Sequence, residues 1–291
     1  MKYRDQKGNY YEEESSQDRL LKWMYSHSIG RFLLKGLVNP VVSKIGGVLL
    51  NTKLSTGLIS PFIKKNHICM SEYEKKRYHS YNDFFVRKIR PEMRPICPEK
   101  NCFISPSDGK LSVYKISDNL TFQVKYTWYN LRSLVRNSKL AAFYAGGTCV
   151  IIRLTVDDYH RYCYVDHGWK GKNHKIPGVL HTVNPVANDF MPIFKENARE
   201  YTTISTENFG KVTQIEVGAL LVGKIRNHHE NKLVKKGEEK GYFAFGGSTV
   251  ILCFQKGRIA PDAAILKNSA EGVETLVRRG ERIGSVSCKY S

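Results

Sequence analysis

Four runs of β-branched and aliphatic residues constrain the fold of this chain most: Lys110–Ile116, Thr148–Leu154, Lys211–Val217 and Ser248–Phe254. Gly, Asn and Asp turns separate them, so they read as short strands of one β-rich domain, with a helix expected over Tyr129–Asn137. At 291 residues the chain is long enough for one large domain, or a main domain with an appendage. Its 41% hydrophobic and 25% charged residues support a sizeable core and exclude wholesale disorder.

Upstream of about residue 100 the texture differs. Arg19 to Asn66 holds eight Lys and Arg and no acidic residue. Leu34, Leu37, Val38, Val41, Val42, Ile45, Val48 and Leu49 repeat at helical spacing. Asn39-Pro40 reads as an N-cap followed by a first-turn proline, which gives two helices, roughly 17–37 and 40–51. The longest run without charge, Leu54–Ile63, falls far short of the ~20 apolar residues that span a bilayer, so no transmembrane helix is expected. Apolar stripes flanked by cations suit a membrane interface, or a hairpin packed on the main domain, and the pattern leaves both open. The polar first residues lack the apolar core of a secretory signal.

A formal charge of +19 favours anionic partners: nucleic acid, acidic headgroups or an anionic substrate. No zinc-finger, helix-turn-helix or RNA-binding pattern is present, so a nucleic-acid partner is not expected. The seven cysteines include no CxxC pair and read as reduced thiols without a metal. Phosphate-binding glycine loops, HExxH and GxSxG are absent. His228-His229 reads as a loop pair.

Three segments carry candidate chemistry. Asp108, in Ser105-Pro106-Ser107-Asp108-Gly109, is on its own a turn residue. His160, in Asp157-Asp158-Tyr159-His160-Arg161, is a potential acid or base, though a lone histidine is commonly a satisfied structural one. Gly246-Gly247-Ser248 offers a hydroxyl beside an unhindered carbonyl, in a pattern that alone is usually a turn. A weak internal echo also appears. Lys235–Gly241 is similar to Arg278–Gly284, as two matched hairpin turns of a small barrel or sandwich would be.

Taken in order, these segments resemble the phosphatidylserine decarboxylase family over roughly residues 70–291. Phe84-Phe85-Val86-Arg87 with Arg94-Pro95-Ile96 is similar to its FFxR…RPI segment, and Ser105–Gly109 to its SPxDG. Asp158–Arg161 matches its DYHR. Asn184-Pro185, Asn197-Ala198-Arg199, Val217-Gly218-Ala219 and Val222-Gly223 match its NP…NxR…VGAxxVG run. Lys236–Glu239 followed by Gly246–Ile251 resembles its KGEE…GST box.

The resemblance implies an α+β chain, with N-terminal amphipathic helices in a membrane-contact segment, 1–70, and a β-rich catalytic domain, 71–291. It implies a self-processing proenzyme in which Ser248, activated by His160 and oriented by Asp108, attacks the Gly247 carbonyl. The chain would part into 1–247 and 248–291, which stay associated, and Ser248 would become a pyruvoyl cofactor. That carbonyl would form a Schiff base with phosphatidylserine and yield phosphatidylethanolamine and carbon dioxide, with no metal and no pyridoxal phosphate. The implied location is peripheral, on the cytoplasmic face of an anionic membrane, and a homo-oligomer is left open. Three positions depart from the family pattern: Cys163 stands where many members have a second histidine, with His167 the nearest other imidazole; Tyr126 replaces a glycine after Lys125; and the cleavage box reads GGST, not LGST. Two other readings remain: a decarboxylase of another serine-headgroup lipid such as archaetidylserine, and a non-catalytic basic membrane-binding protein.

Overall fold

The structure, a computed structural model, describes residues 2–5, 7–12, 23–24, 26–27, 30, 40–124, 127–182, 193–219, 224–244 and 248–287. Its strands are β1 (Lys2–Arg4), β2 (Tyr10–Glu12), β3 (Cys102–Ile104), β4 (Gly109–Lys115), β5 (Thr121–Val124), β6 (Thr127–Asn130), β7 (Thr148–Leu154), β8 (Arg161–Cys163), β9 (Gly168–Lys170) and β10 (His174–Ile176). They continue as β11 (Arg199–Thr206), β12 (Lys211–Val217), β13 (Lys224–Asn227), β14 (Lys232–Val234), β15 (Glu239–Ala244), β16 (Ser248–Phe254), β17 (Ile259–Pro261), β18 (Glu274–Val277) and β19 (Arg282–Val286). The helices are α1 (Pro40–Leu49), α2 (Ile59–Lys65), α3 (Tyr81–Phe85), α4 (Leu131–Val135), α5 (Ser138–Ala142), α6 (Ile193–Glu196) and α7 (Ala263–Ala270).

One large sheet runs β14-β9-β11-β12-β16-β7-β4-β18-β1-β2, with β10 also on β11. Its central strands β7 and β16 carry long apolar runs because both faces are covered. Cys149, Ile151, Ile251 and Cys253 face a core built with α4, α5, β5 and β6. Val150, Ile152, Val250 and Leu252 face the opposite core, shared with the small sheets β13-β15-β8 and β17-β19-β3. The expected strands at 148–154, 211–217 and 248–254 form with those bounds, and the first run forms one residue early.

The echo in the sequence is a structural repeat. Glu238 N–H bonds Lys235 O at 3.0 Å and Glu281 N–H bonds Arg278 O at 3.1 Å, closing two four-residue turns. Gly237 and Gly280 occupy the same place in each, with φ of 77° and 85°, as a type II turn requires. Both press on Ile96: a Cβ on either glycine would lie 2.7 Å from that side chain. These turns are not hairpins, as had been expected, but carry the chain from the large sheet into a small one. The strand pairs follow the same two-fold pattern, since Val234 sits opposite Gly168 as Val277 sits opposite Gly109.

Three other expectations change. Lys2–Arg4 and Tyr10–Glu12 pair as antiparallel strands, not as part of a helical segment: β1 also pairs β18 in parallel, and Arg4 Nη1 bonds Glu271 at 2.7 Å. The helix over 129–137 splits, because Asn130 caps α4 and Asn137 caps α5, with Arg136 left-handed between them. Cys97 and Cys102 are joined as a disulfide, not reduced, whereas Cys69, Cys149, Cys163 and Cys253 are free. The helix expected over 17–37 lies mostly outside the described residues; the one over 40–51 appears as α1.

Between the large sheet and β15 lies a buried polar network. Lys240 Nζ donates to Glu216 at 2.8 Å and to Asn227, which donates to Glu200 at 2.7 Å. Burial pushes the Glu216 carboxyl up and the Lys240 amine down. Replacing Lys240 with Met strands that carboxyl, so Lys240→Met should cost about 3–5 kcal/mol in urea denaturation at pH 8. The folded-state pKa of Glu216 rises further in the variant, so the loss should shrink towards pH 5, where the group takes up a proton.

Candidate active site

The register of three neighbouring strands assembles the site at one end of the large sheet. Lys110 lies opposite Arg153, and Arg153 opposite Thr249. The next row holds Gly109, Leu154 and Ser248, with Ser248 opposite Leu154. Asp108 immediately precedes Gly109, whose φ is 145°; a Cβ there would lie 2.6 Å from Arg153 O. His160 lies in the link from β7 to β8 and is held to β15, where Phe243 N–H bonds His160 O at 3.0 Å. Gly247 lies outside the described residues.

His160 is 1% exposed, and its ring centroid lies 4.4 Å from that of Phe85 on α3. Nδ1 lies 2.9 Å from Asp158 O. A carbonyl can only accept, so Nδ1 carries the proton and Nε2 has the free lone pair. Nε2 is buried without a partner, as is Ser248 Oγ. Burial drags the His160 pKa down to about 4, so the ring is a neutral base.

Asp158 holds this arrangement. Its carboxylate accepts from Thr155 N–H at 2.7 Å and from Lys110 Nζ at 3.0 Å, closing the turn whose carbonyl takes Nδ1. Burial pushes the Asp158 carboxyl up, but Lys110 and the Thr155 N–H together pull it below the ordinary value. The expected Asp108–His160 contact is not formed. Both Asp108 oxygens accept from Arg94, at 2.8 Å from Nη2, and Oδ1 also takes Arg279 N–H at 2.8 Å. Arg94 in turn bonds Glu72 at 3.0 Å.

Cys163 is buried beside this segment, its N–H bonding Pro106 O at 2.9 Å, and burial pushes its thiol up to about 11. That thiol is therefore no acid or base near neutrality. His167 is exposed and precedes Gly168, so it occupies the place in the second half of the repeat that Asp108 has in the first, away from Ser248. Arg94 and Asp158 stood inside quoted motifs, but only the fold shows what they hold. Lys110, two residues after Asp108, had no motif signal. Asn197 and Arg199 are structural: Asn197 Nδ2 bonds His181 O and Gly218 O at 2.8 Å each, and Arg199 bonds four backbone carbonyls. Asn184-Pro185, Val222-Gly223 and Lys125-Tyr126 lie outside the described residues. Among the described residues no cluster of His, Cys, Asp or Glu could hold a metal ion.

A family model described as Phosphatidylserine decarboxylase matches residues 81–285. Phosphatidylserine decarboxylase proenzyme 2 of Clostridium acetobutylicum is 48% identical over 285 residues, covering 98% of this chain and 97% of its own. The phosphatidylserine decarboxylase proenzyme of Clostridium botulinum is 40% identical over 285 residues, covering 95% of each chain. That of Clostridium perfringens is 40% identical over 282 residues, covering 95% of this chain and 96% of its own.

The depressed His160 pKa makes a prediction. In a Ser248→Ala protein the His160 ring should remain neutral at pH 6 by nitrogen NMR; titration near the ordinary value of about 6.5 would contradict the burial argument. Because the folded pKa is lowered, this group's contribution to stability is complete above the unfolded value. It is lost as pH falls from about 6.5 towards 4.

Proposed function

The chain belongs to the phosphatidylserine decarboxylase family, and we propose that it is a self-processing carboxy-lyase that converts phosphatidylserine to phosphatidylethanolamine. The observation that supports this best is the pair of unpartnered buried atoms, Ser248 Oγ and His160 Nε2, at one end of the sheet. Buried polar atoms are rarely left unpaired, and a nucleophile and a base awaiting reaction are a reason to leave them so.

In this reading His160 Nε2 takes the Ser248 hydroxyl proton as Oγ attacks the Gly247 carbonyl. The Gly247–Ser248 amide becomes an ester. Loss of a proton from the Ser248 α-carbon breaks the Cβ–O bond and releases a chain ending at Gly247. Water then displaces ammonia and leaves a pyruvoyl group at the head of β16. The orphaned hydroxyl at a buried strand end fits that origin. When present, the group supplies an electron sink for the pair left behind as carbon dioxide departs. His160 then returns a proton to that carbon. Asp158 O fixes the His160 tautomer, and Asp108 anchors Arg94 and the Arg279 backbone. Strand β16 is bonded on both edges to the longer chain, which supports lasting association of the two products.

A bilayer substrate needs a docked enzyme, and the N-terminal segment suits that task. Leu54 is 92% exposed, and Ile45, Val48, Leu49 and Leu58 are each more than half exposed. Lys53, Lys64 and Lys65 lie among them, an arrangement that favours a peripheral seat on anionic lipid. Among the described residues no helix is long and apolar enough to cross a membrane.

Intact mass tests the processing. Wild type should release the 44 residues from Ser248 to Ser291, lighter by the mass of ammonia than a serine-started chain, while Ser248→Ala stays whole. A wild-type chain that keeps full mass in detergent micelles would end the proposal. For docking, Leu54→Asp with Leu58→Asp should lower affinity for phosphatidylserine vesicles about tenfold or more in co-sedimentation. Unchanged binding would move the contact elsewhere.

A further inference from the structure

Near Tyr159-His160 lie two guanidinium groups without a carboxylate. Arg87 is 3% exposed. It lies 4.4 Å over the Tyr73 ring and bonds only neutral oxygens, Tyr73 Oη at 3.3 Å and Phe84 O at 3.5 Å. Its Nε is buried with no partner. Arg279 lies 6.0 Å from the Tyr159 ring centroid, and its Nε is likewise buried and unpartnered. The Tyr73 and Tyr159 rings are 6.3 Å apart, so each cation lies at one member of an aromatic pair. This pair adjoins the base directly. Tyr159 precedes His160, and Phe85, two residues before Arg87, packs against the imidazole with the rings tilted by 45°.

Several nearby carboxylates are already engaged. Asp108 and Glu72 bind Arg94. Asp158 binds Lys110, Glu239 binds Arg161 and His228, and Glu281 accepts from Arg278 N–H. Among the described residues neither Arg87 nor Arg279 makes an ion pair. Buried charges are normally paired, so a buried and a half-buried guanidinium, both without a carboxylate, call for an anion brought by the substrate.

We propose that Arg87 and Arg279 form the subsite that holds the phosphodiester of the lipid headgroup. This rests on the decarboxylase reading. The headgroup carries two anions, a carboxylate and a phosphodiester, and the chemistry distinguishes them. The carboxylate loses its charge as carbon dioxide leaves, so a guanidinium clamp on it would stabilise the ground state more than the transition state. The phosphodiester keeps its charge throughout. Cations placed there aid binding at every stage without opposing the reaction.

Uniform binding of that kind appears in KM rather than kcat. With the processed full chain and phosphatidylserine in mixed micelles, Arg87→Gln and Arg279→Gln should each raise KM roughly 10- to 100-fold, as loss of a charge-assisted hydrogen bond would. The fall in kcat should be smaller, and Arg→Lys at either position should recover part of the loss. The mass of the 44-residue chain reports whether each variant has folded and processed. Should a variant fail to fold, wild type decides: sn-glycero-3-phosphoglycerol, a phosphodiester with neither amine nor carboxylate, should compete with substrate. Unchanged KM in folded Gln variants, a loss confined to kcat, or inhibition by orthophosphate but not by the phosphodiester would overturn the subsite. A wild-type enzyme that makes no phosphatidylethanolamine would instead overturn the decarboxylase reading itself.

Discussion

The pairing of β16 along both of its edges is the constraint on which the rest depends. Ser248–Phe254 is bonded to Thr148–Leu154 on one side and, through Thr249–Cys253, to β12 on the other. All seven residues are buried. A slip of one residue would turn Val250, Leu252 and Phe254 into the opposite core, so the register is strongly fixed. That register puts Ser248 opposite Leu154, in the row of Gly109, and therefore beside the segment that carries Asp108. A floppier strand would leave the hydroxyl in the same sequence but not in the same place.

Around that strand end the fold tolerates groups it would elsewhere satisfy. Ser107 Oγ, His160 Nε2, Ser248 Oγ and the Nε atoms of Arg87 and Arg279 are buried without partners. Each such atom costs about 1–3 kcal/mol when water cannot reach it. The surrounding polar groups offset this by holding firm: Arg94 clamps Asp108, and Lys110 clamps Asp158. Both carboxylates are thereby paired, and burial keeps the imidazole uncharged. Burial that would ordinarily be a defect thus sets the tautomer and the basicity of His160 together.

Much of this was legible beforehand. The central strands declared themselves because both faces are covered, which forces long apolar runs with little ambiguity. Ser248, His160 and Asp108 stood out through their motifs and do gather at one end. The residues that orient them were harder to read. Asp158 acts through a backbone carbonyl, which leaves no side-chain signature, and Asp108 turns to Arg94, not to the imidazole. The β1–β2 pair was missed because its strands are short and polar. It depends on β18 and on Glu271, more than 260 positions away. The Cys97–Cys102 pairing likewise depends on a local turn that spacing alone does not announce.

The repeated turns around Ile96 show that the same backbone frame is used twice in one chain. Gly109 and Gly168 open equivalent strands, and Asp108 and His167 precede them in equivalent positions. At the far end, however, Gly210 stands across from Thr206 where the first half has Ser248 across from Leu154. The molecule therefore contains a counterpart of this strand end without the hydroxyl. Such a pattern is what duplication followed by specialisation of one copy would leave, and it separates scaffold from chemistry more cleanly than a comparison between two different proteins could. The proposed reactivity rests on a handful of side chains placed on one copy of a shape that the chain uses twice.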